Sequence, residues 1–158
     1  MKCSCIKKSN RNFNFIVDFI SDDSISLLDI SDWNKSVEYT IPESFTATIS
    51  NDEVTKEITL KPLQINHISA QDAGFKFCDG IYCLTTESCG IPYTRRFALL
   101  GKMECSIIKL SNKDLNLAIK LRSYMDIIRN EAQFNNIEKA KEYFKIIKKH
   151  LDLYECNC

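Results

Sequence analysis

Glycine is scarce in this sequence, and long apolar runs are absent. Only 4 glycines occur in 158 residues. None forms a G-x-G-x-x-G or Walker loop, so nucleotide binding has no support. No apolar stretch approaches the roughly 20 residues that span a bilayer, and the start, Met-Lys-Cys-Ser-Cys-Ile-Lys-Lys, lacks the apolar core of a signal peptide. We therefore expect no membrane partner and an intracellular site of synthesis.

The chain also lacks net charge, because 21 Lys and Arg balance 21 Asp and Glu. This balance gives no electrostatic reason to expect nucleic acid or an anionic membrane as a partner. The charges are unevenly placed, with acids concentrated between Asp18 and Glu57 and bases at the N-terminal tip and in the last third. Two interpretations stay open: solvated faces, or head-to-tail attraction between copies, from an acidic body to a basic helix.

Histidine is also scarce: the chain contains 2, His67 and His150. No cysteine or aspartate pattern points to either one, whereas a nucleophilic cysteine needs a positioned base. The acids between Asp22 and Asp32 have neither the spacing nor the glycine of an EF-hand loop. We therefore predict no catalytic residues, no bound cofactor and no enzyme activity.

Cysteine, by contrast, is plentiful, with 8 in the chain. Cys-Ser-Cys lies near the start and Cys-Asn-Cys at the end, and chain termini often lie close together. Four thiolates suit a tetrahedral zinc site. The metal ligands of this hypothesis are Cys3, Cys5, Cys156 and Cys158. The alternatives for these four are free thiols, or intermolecular disulfides after release into an oxidising environment.

Three other cysteines lie in apolar segments that resemble strands. For Cys78, Cys83 and Cys105 we expect the role of small buried hydrophobes. A disulfide framework is disfavoured because no secretion signal is visible and the cytosol is reducing.

Period-two alternation of apolar residues runs from Phe13 to about Leu110 and predicts β-strands. Polar clusters such as Ser50–Glu53 predict the turns between them, and Asp79-Gly80 is a strong tight-turn dipeptide. The predicted strands lie near 13–19, 25–28, 37–41, 45–49, 54–60, 63–68, 81–86 and 93–100. The segment 103–110 either extends the β region or starts the crossover to the helices.

The last third changes to helical periodicity. Ser111–Asp114 is a cap cluster, and apolar residues then recur every three to four positions from Leu117 to Ile128. After a break at Phe134-Asn135-Asn136, a second stripe runs from Ile137 to Leu151. Two amphipathic helices with a short connection predict an antiparallel hairpin.

These patterns together predict an α+β fold, in which an antiparallel β-sandwich or barrel-like body is followed by a C-terminal helical hairpin. The predicted organisation is a flexible basic arm at 1–11, a β-rich domain at 12–110, and a helical hairpin with a cysteine-containing tail at 111–158.

Some side chains are candidates for an interface. Trp33 would anchor one, since aromatic residues are common hot spots, although burial in the core is the alternative. Arg95 and Arg96 either contact a partner or face water. The last helix adds a cluster of bases at Lys145, Lys148 and Lys149.

The segment Phe75-x-Phe77-Cys78-Asp79-Gly80-Ile81-Tyr82-Cys83 is followed by Cys89-Gly90, Tyr93 and Arg95-Arg96. With the helical hairpin and cysteine-rich tail after it, this segment resembles small virion proteins of crAss-like tailed bacteriophages. The resemblance covers about residues 60–158. In that family a similar Asp-Gly-Ile-Tyr strand closes a β domain and leads into a helical tail.

The resemblance implies a structural protein of a head-to-tail connector, or a tail component. Such a protein would be made in the cytoplasm of the host bacterium. It would then act in the virion as a ring-forming homo-oligomer that contacts portal or tail proteins. No catalytic residues carry over. Two other hypotheses stay open: a zinc-stabilised adaptor that binds a protein through its helical hairpin, and a small enzyme with a cysteine nucleophile.

Overall fold

The computed structural model describes residues 13–33, 41–88 and 91–151. The predicted fold class is confirmed: two antiparallel sheets are followed by helices. The described strands are β1 (Phe15–Ser21), β2 (Ser24–Asp29), β3 (Phe45–Ser50), β4 (Thr55–Leu60), β5 (Ile65–Ser69), β6 (Gly80–Ser88) and β7 (Ile91–Leu99). The described helices are α1 (Ala70–Ala73), α2 (Gly101–Ser111), α3 (Leu115–Gln133) and α4 (Ile137–His150).

The strands form a three-stranded sheet in the order β1-β2-β5 and a four-stranded sheet in the order β4-β3-β6-β7. The hairpin between β3 and β4 closes as the polar cluster predicted, because the Asn51 carboxamide oxygen accepts the backbone N–H groups of Glu53 and Val54. The predicted strand near 37–41 falls almost wholly outside the described residues, as does the predicted arm at 1–11.

The chain divides into two compact units. Among the described residues, the sheet unit comprises 13–33, 41–76, 83–88 and 91–95. The helical unit comprises 77–82 and 96–151. Besides the two predicted helices, the helical unit includes α2, residues 80–82 of β6 and residues 96–99 of β7, whereas the predicted helical region begins at 111.

The helical unit contains both predicted helices, with the break between them at the predicted place. Asp114 caps α3 by accepting the N–H of Leu117, and Asn135 has a φ of 68° between α3 and α4. The apolar stripes face one core, in which Leu121, Met125, Ile128 and Ile147 are buried.

Helix α2 covers a segment for which a strand or a crossover was expected. Its N-terminal N–H groups are capped from a distance: the Asp79 carboxylate accepts the backbone N–H of Lys102 at 2.9 Å and that of Met103 at 2.7 Å. Asp79 therefore caps a helix, and β6 begins directly after it, where a tight turn was predicted. Sequence alone could not show this, because the cap residue lies more than 20 positions before the helix.

No helix in the described part of the chain is both long enough and apolar enough to cross a membrane.

Candidate interaction surfaces

One face of the three-stranded sheet carries an apolar row that is exposed to solvent. Residues on this face are aligned by the strand register, in which Ile16 pairs with Leu28 and Leu28 pairs with Ile65. Ile30 and Leu63 lie beyond the strand ends next to this row, since the backbone N–H of Asp29 donates to the carbonyl of Gln64. We call Ile16, Leu28, Ile30, Leu63 and Ile65 the sheet patch.

Most of the sheet patch is accessible to solvent. Ile65 is 58% exposed, Ile16 and Leu63 are both 49% exposed, and Ile30 is 43% exposed. Single exposed apolar residues are ordinary, but contiguous groups mark interaction sites. The next row of the same face is polar, with Asp18 paired to Ser26 and Ser26 paired to His67. The sheet patch is therefore bordered on this side by polar residues, as the apolar core of an interface is by its rim.

A buried carboxylate holds the backbone behind the sheet patch. Asp29 is 2% exposed. Its Oδ1 accepts the Ser31 hydroxyl at 2.5 Å and the Ser31 backbone N–H at 3.0 Å. Its Oδ2 accepts Trp33 Nε1–H at 2.7 Å and the backbone N–H of Leu63 at 3.0 Å. Four hydrogen bonds compensate the loss of hydration, and they fix the chain on both sides of Ile30 and at Leu63.

A second buried polar residue, Asn66, fixes the loop between β4 and β5. Its side chain accepts the backbone N–H of Lys61 at 2.7 Å and donates to the carbonyls of Lys61 at 3.0 Å and Gln64 at 3.1 Å. The loop holds Leu63 at a φ of 57°, a left-handed conformation that costs about 1–2 kcal/mol for a residue with a Cβ. Asp29 and Asn66 thus stabilise a strained leucine whose side chain points to solvent.

The helical unit has its own exposed apolar group at α2 and α3. A salt bridge of 3.5 Å joins Arg122 of α3 to Glu104 of α2, and only three residues connect the two helices, so they run antiparallel side by side. Ile108 lies one turn after Glu104, and Ile119 lies about one turn before Arg122, with Leu115 one turn further. Ile108, Leu115 and Ile119 are 55%, 60% and 59% exposed, and we call them the helix patch.

The two units carry opposite charge. The described residues of the sheet unit contain eleven Asp and Glu against four Lys and Arg, a formal charge of −7. Those of the helical unit contain seven against twelve, a formal charge of +5. The exposed bases Lys109, Lys113 and Lys120 lie beside the helix patch along the chain. The described acids between Asp18 and Glu57 therefore lie in the sheet unit and the described bases of the last third lie in the helical unit, while the residues outside the described ranges add a net charge of +2.

The predicted interface residues lie at several places. Trp33 is half-buried, hydrogen-bonded to Asp29, and packed edge-to-face on Phe45 at 5.2 Å between ring centroids. Arg95 is exposed in the sheet unit, whereas Arg96 of the helical unit donates to the side chain of Asn135. Lys145, Lys148 and Lys149 are exposed on α4. The structure thus gives Trp33 and Arg96 contacts within their own units.

The cysteines depart from the sequence prediction. Cys78 and Cys105 are both disulfide-bonded, so they are not the plain buried hydrophobes that were expected. Cys83 is the free thiol among the described residues and is half-buried. Periodicity could not reveal the disulfides, because bonding depends on which side chains the fold brings together. The predicted zinc ligands Cys3, Cys5, Cys156 and Cys158 lie outside the described residues.

Two other places combine ionisable groups. A depression of about 340 Å³ is lined by Glu57, Ile58, Thr59, His67, Ile68 and Asp72. In the ranges that the structure describes, no group of three or more His, Cys, Asp or Glu side chains is placed to hold a metal ion.

In the helical unit, burial raises the pKa of Asp79, and burial together with the charge of Asp79 raises the pKa of Tyr82 to about 12. The Tyr82 hydroxyl donates to the carbonyl of Cys78.

The sheet patch was missed by the sequence prediction, although one signal was present. In β1, apolar residues occupy both phases of the alternation, with Phe15, Val17 and Phe19 on one face and Ile16 and Ile20 on the other. Apolar residues on the second face of a short antiparallel strand predict a second contact surface.

Comparison of the chain with protein-family models, curated proteins and solved structures finds no match.

Proposed function

We propose that this protein is a non-enzymatic structural protein that assembles through protein–protein contacts, and that it serves as a head-to-tail connector ring or a tail component of a phage particle. The observation that carries the proposal is the opposite charge of its two units. Its assembly partner is a further copy of itself, and the assembled ring contacts other virion proteins.

Because each copy has one acidic and one basic unit, contacts between different units of two copies are favoured over contacts between identical units. Two copies that bring like units together juxtapose charges of one sign, which is unfavourable. A contact between the sheet unit of one copy and the helical unit of another joins opposite charges and is heterologous. Heterologous contacts repeat from copy to copy and close into rings when the rotation allows it. Charge therefore favours the type of symmetry that a connector ring needs.

The phage assignment has separate support in the segment from Phe75 to Cys83. In this chain the segment enters β6, which is followed by β7 and then by α2, and its Asp79 caps α2. The support is the resemblance of this segment to virion proteins in which an Asp-Gly-Ile-Tyr strand precedes a helical tail; in this chain one further strand intervenes.

The mass of the purified protein in solution tests the proposal. Light scattering is performed at several concentrations, with and without reductant, at about 0.05 M and 1 M salt. We expect a discrete oligomer that forms as the concentration rises and weakens at high salt, where the Debye length falls from more than 10 Å to about 3 Å. A strict monomer under all conditions would contradict self-assembly.

Electron microscopy of the oligomer separates a connector from other assemblies. A closed ring with one rotational symmetry supports the connector. Dimers with two-fold symmetry contradict it, since an isologous contact does not extend into a ring larger than two copies.

A further inference from the structure

We infer that the sheet patch of one copy binds the helix patch of a second copy, and that this contact is the one on which the assembly proposed above rests. It therefore depends on the proposed function and names the two surfaces that meet. The inference rests on three properties of the described residues: apolar exposure, charge, and the backbone of the loop at Leu63.

Apolar exposure identifies the two surfaces. The side chains of Ile65 and Ile119 are 58% and 59% exposed, and each has apolar neighbours in its patch. Burial of such groups stabilises a complex by about 25 cal/mol per Å² of apolar surface. The sheet patch is broad because it crosses three strands, whereas the helix patch is a narrow ridge on two helices. The helix patch of one copy can therefore lie across the sheet patch of another.

Charge selects the partner of each patch. The sheet patch belongs to the acidic unit and is bordered by Asp18, whereas the helix patch belongs to the basic unit and lies beside Lys109, Lys113 and Lys120. Two sheet patches facing each other would bring two acidic units together. The sheet patch therefore suits the helix patch of another copy better than it suits itself.

The backbone at Leu63 indicates that this surface has a purpose beyond stability. An exposed leucine contributes little to the fold, yet this one is kept at a positive φ because buried Asp29 accepts its backbone N–H and buried Asn66 accepts the N–H of Lys61 in the same loop. Strained residues of this kind persist where the surrounding structure holds them, often at binding sites. Here the strain presents an apolar side chain to a partner.

Two single variants and their mixture test the contact. Ile65→Asp places a charge in the sheet patch, and Ile119→Asp places one in the helix patch. Both positions are exposed, so folding is preserved, which far-ultraviolet circular dichroism and Trp33 fluorescence verify. We expect each variant to need at least about 30-fold more protein for half-assembly, as at an interface hot spot. Light scattering measures the shift.

The mixture supplies the specific readout. Ile65→Asp retains an intact helix patch, and Ile119→Asp retains an intact sheet patch. A heterologous contact therefore yields a complex of one copy of each, with twice the monomer mass, although each variant alone is monomeric. A mixture that stays monomeric overturns the inference.

Matched controls separate the contact from a general effect of charge. Thr59→Asp adds the same charge to the sheet unit on exposed β4, and Phe134→Asp replaces an exposed aromatic residue of the helical unit. We expect both controls to assemble like the unaltered protein. Equal loss of assembly in the controls overturns the inference.

Failure of the inference differs from failure of the proposed function. If Ile119→Asp assembles normally while Ile65→Asp does not, the sheet patch has another partner, so the inference fails and self-assembly stands. If neither variant alters the oligomer of the unaltered chain, both patches are excluded and self-assembly again stands. If the unaltered chain is a monomer under all conditions, the proposed function itself fails.

Discussion

The sheet unit and the helical unit are stabilised in different ways. Among the described residues, four of the buried polar side chains belong to the sheet unit: Asp29, Ser31, Asn66 and Thr86. The helical unit buries Ser106 in a core that is otherwise apolar. Helices satisfy their own backbone groups, whereas the loops of the sheet unit need side-chain partners for buried N–H and C=O groups.

Buried side chains therefore have different roles in the two units. In the helical unit, buried side chains mainly remove apolar surface from water. In the sheet unit, buried polar side chains also fix loop conformations, and one of these loops presents Leu63 in the sheet patch. Mutations in the two units should therefore differ in size and in spectroscopic signature. Trp33, the single tryptophan, reports on the sheet unit, and circular dichroism at 222 nm reports mainly on the helices.

The largest effect is expected for Asp29→Ala in the sheet unit. The substitution leaves the N–H groups of Ser31, Trp33 and Leu63 without their acceptor. Since each unsatisfied buried donor costs about 1–3 kcal/mol, we expect the free energy of unfolding to fall by about 3–5 kcal/mol. Urea denaturation followed by Trp33 fluorescence measures it. The control Asp32→Ala, at an exposed acid nearby, should change stability by less than about 0.5 kcal/mol. Equal effects would show that the network contributes nothing.

A similar loss by a different mechanism is expected for Leu121→Ala in the helical unit. Leu121 is fully buried among the helices, and truncation of a buried leucine costs about 2–5 kcal/mol through lost burial and the remaining cavity. Denaturation followed at 222 nm measures it. Leu115→Ala, on the same helix but exposed, is the control and should cost less than about 0.5 kcal/mol. A small effect at Leu121 would refute the assignment of this core.

A smaller loss is expected when the distant cap of α2 is removed. Asp79→Ala deletes both acceptors of the first turn of α2, and loss of an N-cap costs about 0.5–2 kcal/mol. Thermal denaturation followed at 222 nm measures the change. Asp114→Ala removes a cap of α3 that makes one exposed hydrogen bond, so its cost should be the lower of the two. The reverse order would contradict the assignment of Asp79 as the cap of α2.

The pH dependence of stability tests Asp79 separately. Burial raises its folded pKa above the ordinary value of 3.8, although the backbone N–H groups of Lys102 and Met103 and the charges of Lys102 and Lys148 oppose the shift. Because the folded pKa is raised, protonation of Asp79 stabilises the folded protein fully below pH 3.8. This stabilisation is lost as the pH rises through the folded pKa. Asp79→Asn removes this titration. We expect the stability advantage of the unaltered protein over Asp79→Asn to shrink as the pH rises through this range. An advantage that grows would show the opposite shift.

The smallest effect on stability is expected for Leu63→Gly. Glycine adopts the positive φ of this position without strain, which gains about 1–2 kcal/mol, but it removes a side chain that is only 49% exposed and adds disorder to the unfolded chain, which costs about 0.4–1 kcal/mol. The free energy of unfolding should therefore change by less than about 1 kcal/mol, while half-assembly should require more protein. Urea denaturation and light scattering measure the two quantities. A large loss of stability without a change in assembly would show that Leu63 serves the fold.

The helices could be predicted well because their determinants are local. The stripe from Leu117 to Ile128, the cap at Asp114 and the break at Asn135-Asn136 all lie within the elements that they define. The determinants of the turn between β3 and β4 are also local, because the Asn51 side chain bonds within that turn. Helix α2 could not be predicted in the same way, because its cap is Asp79.

The candidate site was harder to predict than the fold. The acidic region between Asp18 and Glu57 was evident, but nothing in the sequence distinguishes buried Asp29 from exposed Asp32. The sheet patch depends on strand order, which places Ile65 beside Leu28 although 37 residues separate them along the chain. Trp33 was predicted as an interface anchor or a core residue, and its hydrogen bond to Asp29 could be found only in the structure.

The sequence by itself determined the class of the fold, the two regions of opposite charge and the faces of the long helices, because periodicity and composition act over short distances along the chain. The tertiary structure decided which acid is buried, which cysteines are disulfide-bonded, which residue caps α2 and which apolar side chains form a continuous surface. These features depend on side chains that are distant in sequence and that only the folded backbone brings within contact distance.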